Sequence, residues 1–210
     1  MDLMDEHLVV TLLRHGLTKQ NEKHQYLGWT DASLSEKGIQ QVGSYQLLSK
    51  ADLYFSSDLK RCVETAGILF PDKEILTCSL FREMNFGDWE ERTYEELKNN
   101  DVYQNWLQQP FTICPPNGEC FHQFTARVDK GWKQLLLQLF QKGKTKAILI
   151  THGGVIRYLL SRFSPKETNF WDWRVPHETA FELCWTKQKG RGESRCTLLR
   201  EVILTEKQNG

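Results

Sequence analysis

The chain has 210 residues, with 27 basic and 27 acidic side chains and a formal net charge of zero. That length fits one domain, residues 1–210, with enough chain to bury a substantial core. The charge balance provides no basic face of the kind that binds nucleic acid, and no apolar run reaches the ~18 residues that cross a bilayer.

Residues 1–7 are polar and acidic, unlike a signal peptide, and read as a short disordered lead-in. Residues 8–13 form a short apolar run with two valines, which predicts a buried strand. Arg14 and His15 then stand at its carboxyl end, where open α/β sheets bind ligands. Gly16 follows, and would let backbone approach an anion closely. The stretch from Asn21 to Asp31 reads as a loop. Ser33-Leu34-Ser35-Glu36 has the form of a capping box and predicts a helix over residues 36–49. Residues 53–55 read as a strand. Ser57 or Asp58 should cap a helix that runs to about Leu69 and stops before Pro71. Ile75-Leu76 reads as a further strand.

Residues 88–118 break this alternation. They hold Trp89, Tyr94, Tyr103, Trp106 and Phe111, and Pro110, Pro115, Pro116 and Gly118 punctuate their end. A helical excursion folding over the strand ends as a lid is expected. Phe121, Phe124, Val128, Trp132, Leu135, Leu136 and Leu139 recur at three and four residues, marking one apolar face of a long helix. Residues 146–151 repeat the first design: an apolar strand ends in Thr151-His152-Gly153-Gly154 and a helix follows to about Arg162. Residues 180–185 and 197–204 predict an antiparallel hairpin across the polar stretch 187–193. The fold class is therefore α/β: a three-layer sandwich with a mostly parallel central sheet, helices on both faces and a helical lid insertion. Two strand-end His-Gly pairs imply two imidazoles at one crevice. His7, His24, His122 and His177 read as structural or surface residues.

Six cysteines stand at 62, 78, 114, 120, 184 and 196 with no Cys-x-x-Cys pair. Cys114, Cys120 and His122 lack zinc-site spacing. Free, reduced thiols in a cytoplasm are the expectation, with Cys184 and Cys196 filling core space.

Several of these pieces together resemble the histidine phosphatase superfamily, also called phosphoglycerate-mutase-like. They are Arg14-His15-Gly16, Asn21, Gly28-Trp29-Thr30-Asp31 with Leu34 and Gly38, Ser56-Ser57-Asp58-Leu59-Lys60-Arg61, Arg82-Glu83 with Phe86-Gly87-Asp88-Trp89, and Thr151-His152-Gly153-Gly154. The resemblance is to small cytoplasmic members of the α-ribazole-phosphatase-like and broad-specificity-phosphatase-like kinds. It implies a metal-independent phosphomonoester hydrolase with no cofactor. His15 would be the nucleophile and form a phosphohistidine. Arg14 and Arg61 would grip the phosphoryl oxygens, with His152, Asn21 and Gly153 adding hydrogen bonds. Glu83 would be the general acid and then the base. The bland alternatives are an Arg61–Glu64 pair, a turn cap at Asn21 and a Glu83–Arg82 pair. Members usually carry an acidic residue where this chain has Leu17. Residues 116–120 resemble the Pro-Gly-Gly-Glu-Ser signature of small phosphatases but depart from it at Asn117 and Cys120, and Glu119 either lines the pocket or favours a helix start. Mutases of the family carry extra bases in the excursion; here it holds only Arg92 and Lys98, against Asp88, Glu90, Glu91, Glu95, Glu96 and Asp101. That points to a hydrolase over a mutase, and the presence of both His15 and Glu83 points away from a non-catalytic binding protein. The expected ligand is a small phosphorylated metabolite, with no nucleic acid and no membrane. The oligomeric state is not readable.

Overall fold

The apolar run after residue 7 lies in strand β1 (Glu6–Arg14), inside a six-stranded sheet. The structure, a computed structural model, describes residues 6–46, 50–186 and 192–206. Glu6 and His7 already belong to β1, so the expected lead-in is wrong for these two; residues 1–5 lie outside the described residues. The other strands and α-helices are α1 (Lys19–Glu22), α2 (Glu36–Ser44), β2 (Tyr45–Gln46), β3 (Leu53–Ser56), α3 (Lys60–Leu69), β4 (Ile75–Thr77), α4 (Tyr94–Leu97), α5 (Asp101–Gln108), α6 (Phe121–Gln141), β5 (Lys146–Thr151), α7 (Gly153–Phe163), β6 (Thr179–Thr186), β7 (Leu198–Ile203) and β8 (Thr205–Glu206).

The sheet order is β4-β3-β5-β1-β6-β7. The first four strands are mutually parallel, and β6 and β7 add as antiparallel neighbours. β2 pairs with β8 apart from the main sheet. Strand residues alternate between two cores, as the two-residue period requires. Leu8, Val10, Leu12, Ala147 and Leu149 pack with residues of α6 and α7, while Leu13, Ile148 and Ile150 pack with residues of α2 and α3. Burial on both faces explains why the parallel strands read as unbroken apolar runs.

Three boundaries differ from expectation. Helix α2 stops at Ser44 because Tyr45 turns extended (φ −71°, ψ 138°) and enters β2; residues 47–49 lie outside the described residues. Its cap is Ser35, which accepts from Gly38 N at 3.1 Å, and not Ser33. Helix α3 starts after Leu59 without a side-chain cap. Ser57 and Asp58 are engaged elsewhere: Ser57 Oγ with His152, and both Asp58 oxygens with Arg82, at 2.7 and 2.6 Å.

The excursion is two short helices, α4 and α5, over a small core of Trp89, Leu97, Tyr103 and Trp106. A Thr93–Glu96 capping box starts α4 and Asn100 caps α5. The excursion's end corrects the thiol expectation. Cys114 and Cys120 form a disulfide, with Cα atoms 4.5 Å apart, because the intervening turn closes through Gly118 N to Pro115 O at 2.9 Å. Cys62, Cys78, Cys184 and Cys196 are free thiols. Cross-linking a ring of about seven residues is worth about 2 kcal/mol of chain entropy. Reduction should therefore lower Tm by about 4–8 °C in a chain of this size. Thermal unfolding with and without dithiothreitol, beside the Cys114→Ser/Cys120→Ser variant, measures this; identical midpoints throughout would mean that the bond adds nothing.

Candidate active site

Strands β1 and β5 pair in parallel register, with Leu13 opposite Ile150 and Arg14 opposite Thr151. His15 and His152 therefore leave neighbouring strands at the same level. The backbone holds them there: His15 N donates to Thr151 O at 3.0 Å. Their ring centroids lie 5.2 Å apart, edge to face. Both side chains are buried, His15 at 3% exposure and His152 at 1%.

Burial first, and then the positive charge of Arg61, hold His15 well below the usual imidazole range, so it is neutral at pH 7. Its Nδ1 lies 2.7 Å from Gly16 O. A carbonyl can only accept, so Nδ1 carries the proton and Nε2 carries the free lone pair. His152 is kept neutral by the same two causes. Arg61 Nε donates to its Nδ1 at 3.3 Å, which places the proton on Nε2, donating to Ser57 Oγ at 2.9 Å.

Arg61 projects from the first turn of α3 and is fully buried. It donates to Gly28 O at 2.6 Å and to Thr30 O at 2.9 Å. It does not pair with Glu64, whose carboxylate accepts from Leu34 N at 2.7 Å. Arg14 donates from Nη1 to Val175 O at 2.7 Å, while its Nε is buried with no partner. Burial pulls the Arg14 pKa down to about 10, which still leaves it a cation at pH 7. A buried charged N–H without an acceptor is costly, and a tetrahedral oxyanion would supply the missing acceptor. Gly153 lies against Arg14: an added Cβ would sit 3.5 Å from the guanidinium carbon. Asn21 does cap a turn, since its Oδ1 accepts from Thr18 N at 3.2 Å. Gly16 serves packing: an added Cβ would lie 2.5 Å from Val42 Cγ2, and its N–H is held by Thr65 Oγ1.

Glu83 stands across this crevice, 8% exposed. One carboxylate oxygen accepts from Met84 N at 2.9 Å and the other from Gly154 N at 2.8 Å, in the first turn of α7. Arg82 pairs with Asp58 instead. A Cβ at Gly154 would sit 2.2 Å from Glu83 Oε1, so a side chain there would displace the carboxylate from its place. Glu119 is drawn away from the pocket into an ion pair with Arg127, at 2.9 and 2.7 Å.

Three residues of the site carried no sequence signal. Arg127, on the polar side of α6, donates to the carbonyls of Leu80, Arg82 and Glu83 at 2.9–3.1 Å and so fixes the backbone under Glu83. Glu90 accepts from Trp29 N at 2.6 Å, from Thr30 N at 2.5 Å and from Thr30 Oγ1, and holds the loop that Arg61 reaches. His177, which reads from the sequence as structural or surface, has its ring 5.5 Å from that of His15. Its Nδ1 donates to His15 O at 2.5 Å, and burial pushes its pKa down to about 4.

A cavity of about 340 Å³ opens beside Glu83 and Gly154, a size that suits a small organic group. The excursion walls it with Trp106, Leu107 and Pro110. Trp89 is inside the excursion's own core and Tyr94 is half exposed, so neither faces the cavity. Among the described residues, no three His, Cys, Asp or Glu side chains are grouped to hold a metal ion.

Residues 10–196 match the model of the histidine phosphatase superfamily, branch 1. The chain is 31% identical over 183 residues to an adenosylcobalamin/alpha-ribazole phosphatase of Salmonella typhimurium, covering 83% of this chain and 87% of that one. It is 28% identical over 169 residues to a phosphoglycerate mutase of Schizosaccharomyces pombe, covering 72% and 77%. The crystal structure of the alpha-ribazole phosphatase from Shigella flexneri shares the fold, with a TM-score of 0.77 at 24% identity over 95% of this chain and 96% of that chain.

Proposed function

The chain belongs to the histidine phosphatase superfamily, and from that premise we propose that it is a metal-independent phosphomonoester hydrolase working through a phosphohistidine on His15. The observation that carries this reading is the pairing of a neutral imidazole, its Nε2 lone pair free, with the unpartnered buried Nε of Arg14.

Nε2 of His15 attacks phosphorus and forms the N–P bond as the P–O ester bond breaks. Positive charge develops on the ring, and the Nδ1–H donated to Gly16 O stabilises it. Arg14 and Arg61 neutralise the three equatorial oxygens, and the Nε2–H of His152, turning from Ser57 Oγ to the phosphoryl group, adds a hydrogen bond together with the Asn21 amide and the Gly153 N–H. Glu83 gives its proton to the departing alkoxide. The carboxylate then takes a proton from water, the water oxygen attacks phosphorus, and the N–P bond breaks to return His15 and inorganic phosphate.

Hydrolysis is favoured over mutase transfer by the excursion's share of the cavity lining, Trp106, Leu107 and Pro110. The excursion contributes no base to it; Lys98 instead pairs with Glu95 at the surface. The proposed ligand is a small phosphorylated metabolite and the proposed compartment the cytoplasm. No helix among the described residues is long and apolar enough to cross a membrane.

The purified protein should release phosphate from simple monoesters with no added bisphosphate. It should keep that activity in EDTA and lose it to vanadate, which adopts the trigonal-bipyramidal geometry of the transfer. A panel that includes α-ribazole phosphate and 3-phosphoglycerate tests this. Rapid interconversion of 3- and 2-phosphoglycerate with negligible phosphate release would make it a mutase. Activity lost in EDTA and restored by Mg²⁺ or Zn²⁺ would remove the metal-free site.

A further inference from the structure

Arg157 stands three and four residues beyond Gly154 and Gly153 on α7, on the helix face that starts at the catalytic crevice. It is half-buried and lines the same cavity as Glu83. Its Nε donates to Trp173 O at 3.1 Å, and its guanidinium carbon lies 5.9 Å from the centre of the Trp171 ring. These contacts fix the guanidinium but engage only one of its five donors. Among the described residues no carboxylate pairs with Arg157.

The neighbouring arginines are accounted for. Arg82 is paired with Asp58, Arg127 with Glu119, and Arg61 is tied to two carbonyls and His152. Arg14 meets the phosphoryl group. Arg157 is left with four donors in a cavity that has Glu83 at its catalytic end and Phe86, Trp106, Phe121, Phe124 and Phe170 among its other walls. An apolar ring system would bury its faces against those aromatics. An anionic oxygen on that ring would meet Arg157, the one cation among the described residues that line the cavity, in surroundings that strengthen a charged hydrogen bond.

We propose that Arg157 is the specificity-determining residue of the leaving-group pocket, binding a carboxylate or similar anionic oxygen carried by an alcohol with an apolar ring. This rests on the hydrolase reading above. The substrate class is then a phosphomonoester with two anionic ends separated by an aromatic body.

Benzyl phosphate and its ortho-, meta- and para-carboxylated analogues test the proposal on the whole chain. A charged hydrogen bond gained in the complex should raise kcat/KM for at least one carboxylated isomer by about 10- to 100-fold over benzyl phosphate, mainly through KM. Arg157→Met, which keeps the apolar stem, should bring that ratio close to one, and Arg157→Lys should restore part of it. A merely structural role through Trp173 would lower all four substrates together and leave the ratio unchanged. The proposal is overturned if the parent prefers none of the isomers, or if Arg157→Met keeps the preference. Should Arg157→Met not fold, the parent's ratios and the lysine variant decide alone. A flat panel in a protein that still forms phosphohistidine removes only the role of Arg157. Absence of phosphohistidine and of phosphate release from every substrate removes the hydrolase reading and this one with it.

Discussion

His15→Ala should reduce turnover of any phosphomonoester by roughly 10⁴-fold or more, about 5–6 kcal/mol of barrier, because it removes the group proposed to form the covalent intermediate. Both nitrogens of His152 are occupied, by Arg61 and Ser57. His177, whose Nδ1 is bound to a backbone carbonyl, keeps its Nε2 free, so activity retained in His15→Ala would move the nucleophile to His177. Steady-state assays on p-nitrophenyl phosphate measure the loss, and a variant that keeps more than a few per cent of parent activity would contradict the assignment. The pH profile carries the same signature. Burial and the Arg61 charge hold the His15 pKa well below 6.5, so its lone pair is not lost as pH falls from 7 through 6.5. Phosphohistidine formation should therefore show no acid limb near the usual imidazole value.

Glu83→Gln should separate substrates by their leaving groups. An alkoxide departs poorly without a proton, whereas a nitrophenolate departs readily. General acid help is typically worth about 10²–10⁴-fold, roughly 3–5 kcal/mol. Phosphohistidine formation from benzyl phosphate should fall by that factor, and from p-nitrophenyl phosphate far less. Dephosphorylation should slow equally for both if Glu83 is then the base that activates water. Single-turnover measurements resolve the two steps. The variant should also unfold more easily. Glu83 accepts from two backbone amides, Met84 N and Gly154 N, and a glutamine amide can accept from only one of them. An unsatisfied buried N–H costs about 1–3 kcal/mol. Equal losses in the first step for both leaving groups would make Glu83 a positioning residue and not the acid.

Much of this fold is written in local pattern. Two apolar runs, each ending in a histidine and a glycine, read as parallel strands, and β1 and β5 are adjacent in that sense. The long apolar face of α6 read equally well. What failed to read depends on tertiary placement. His177 lies near His15 because antiparallel β6 enters the sheet beside β1, and no spacing announces that neighbour. Arg127 is one polar residue among several on α6, and acts only because three carbonyls converge on it. Ser57 looked like a helix cap because serine often is one, but a buried histidine claims its hydroxyl. The Cys114–Cys120 bond follows from a tight Pro-Pro turn that brings the two residues together, and a six-residue spacing matches no metal or redox pattern. Glu90 sits in an acidic run that the sequence shows only as negative charge on the lid, yet it ties the Gly28–Thr30 loop to the site.

The covalent intermediate is the claim on which the rest depends, and trapping it is the most direct test. Protein mixed with excess ³²P-labelled p-nitrophenyl phosphate and quenched within one turnover in alkaline denaturant should carry an acid-labile, base-stable label. Peptide mapping should place that label on His15, and nitrogen-15 and phosphorus-31 resonances should place the phosphoryl group on Nε2, because Nδ1 is held by Gly16 O. The His15→Ala protein should carry none. Label on a serine or cysteine, on another histidine, or on Nδ1 of His15 would contradict the account.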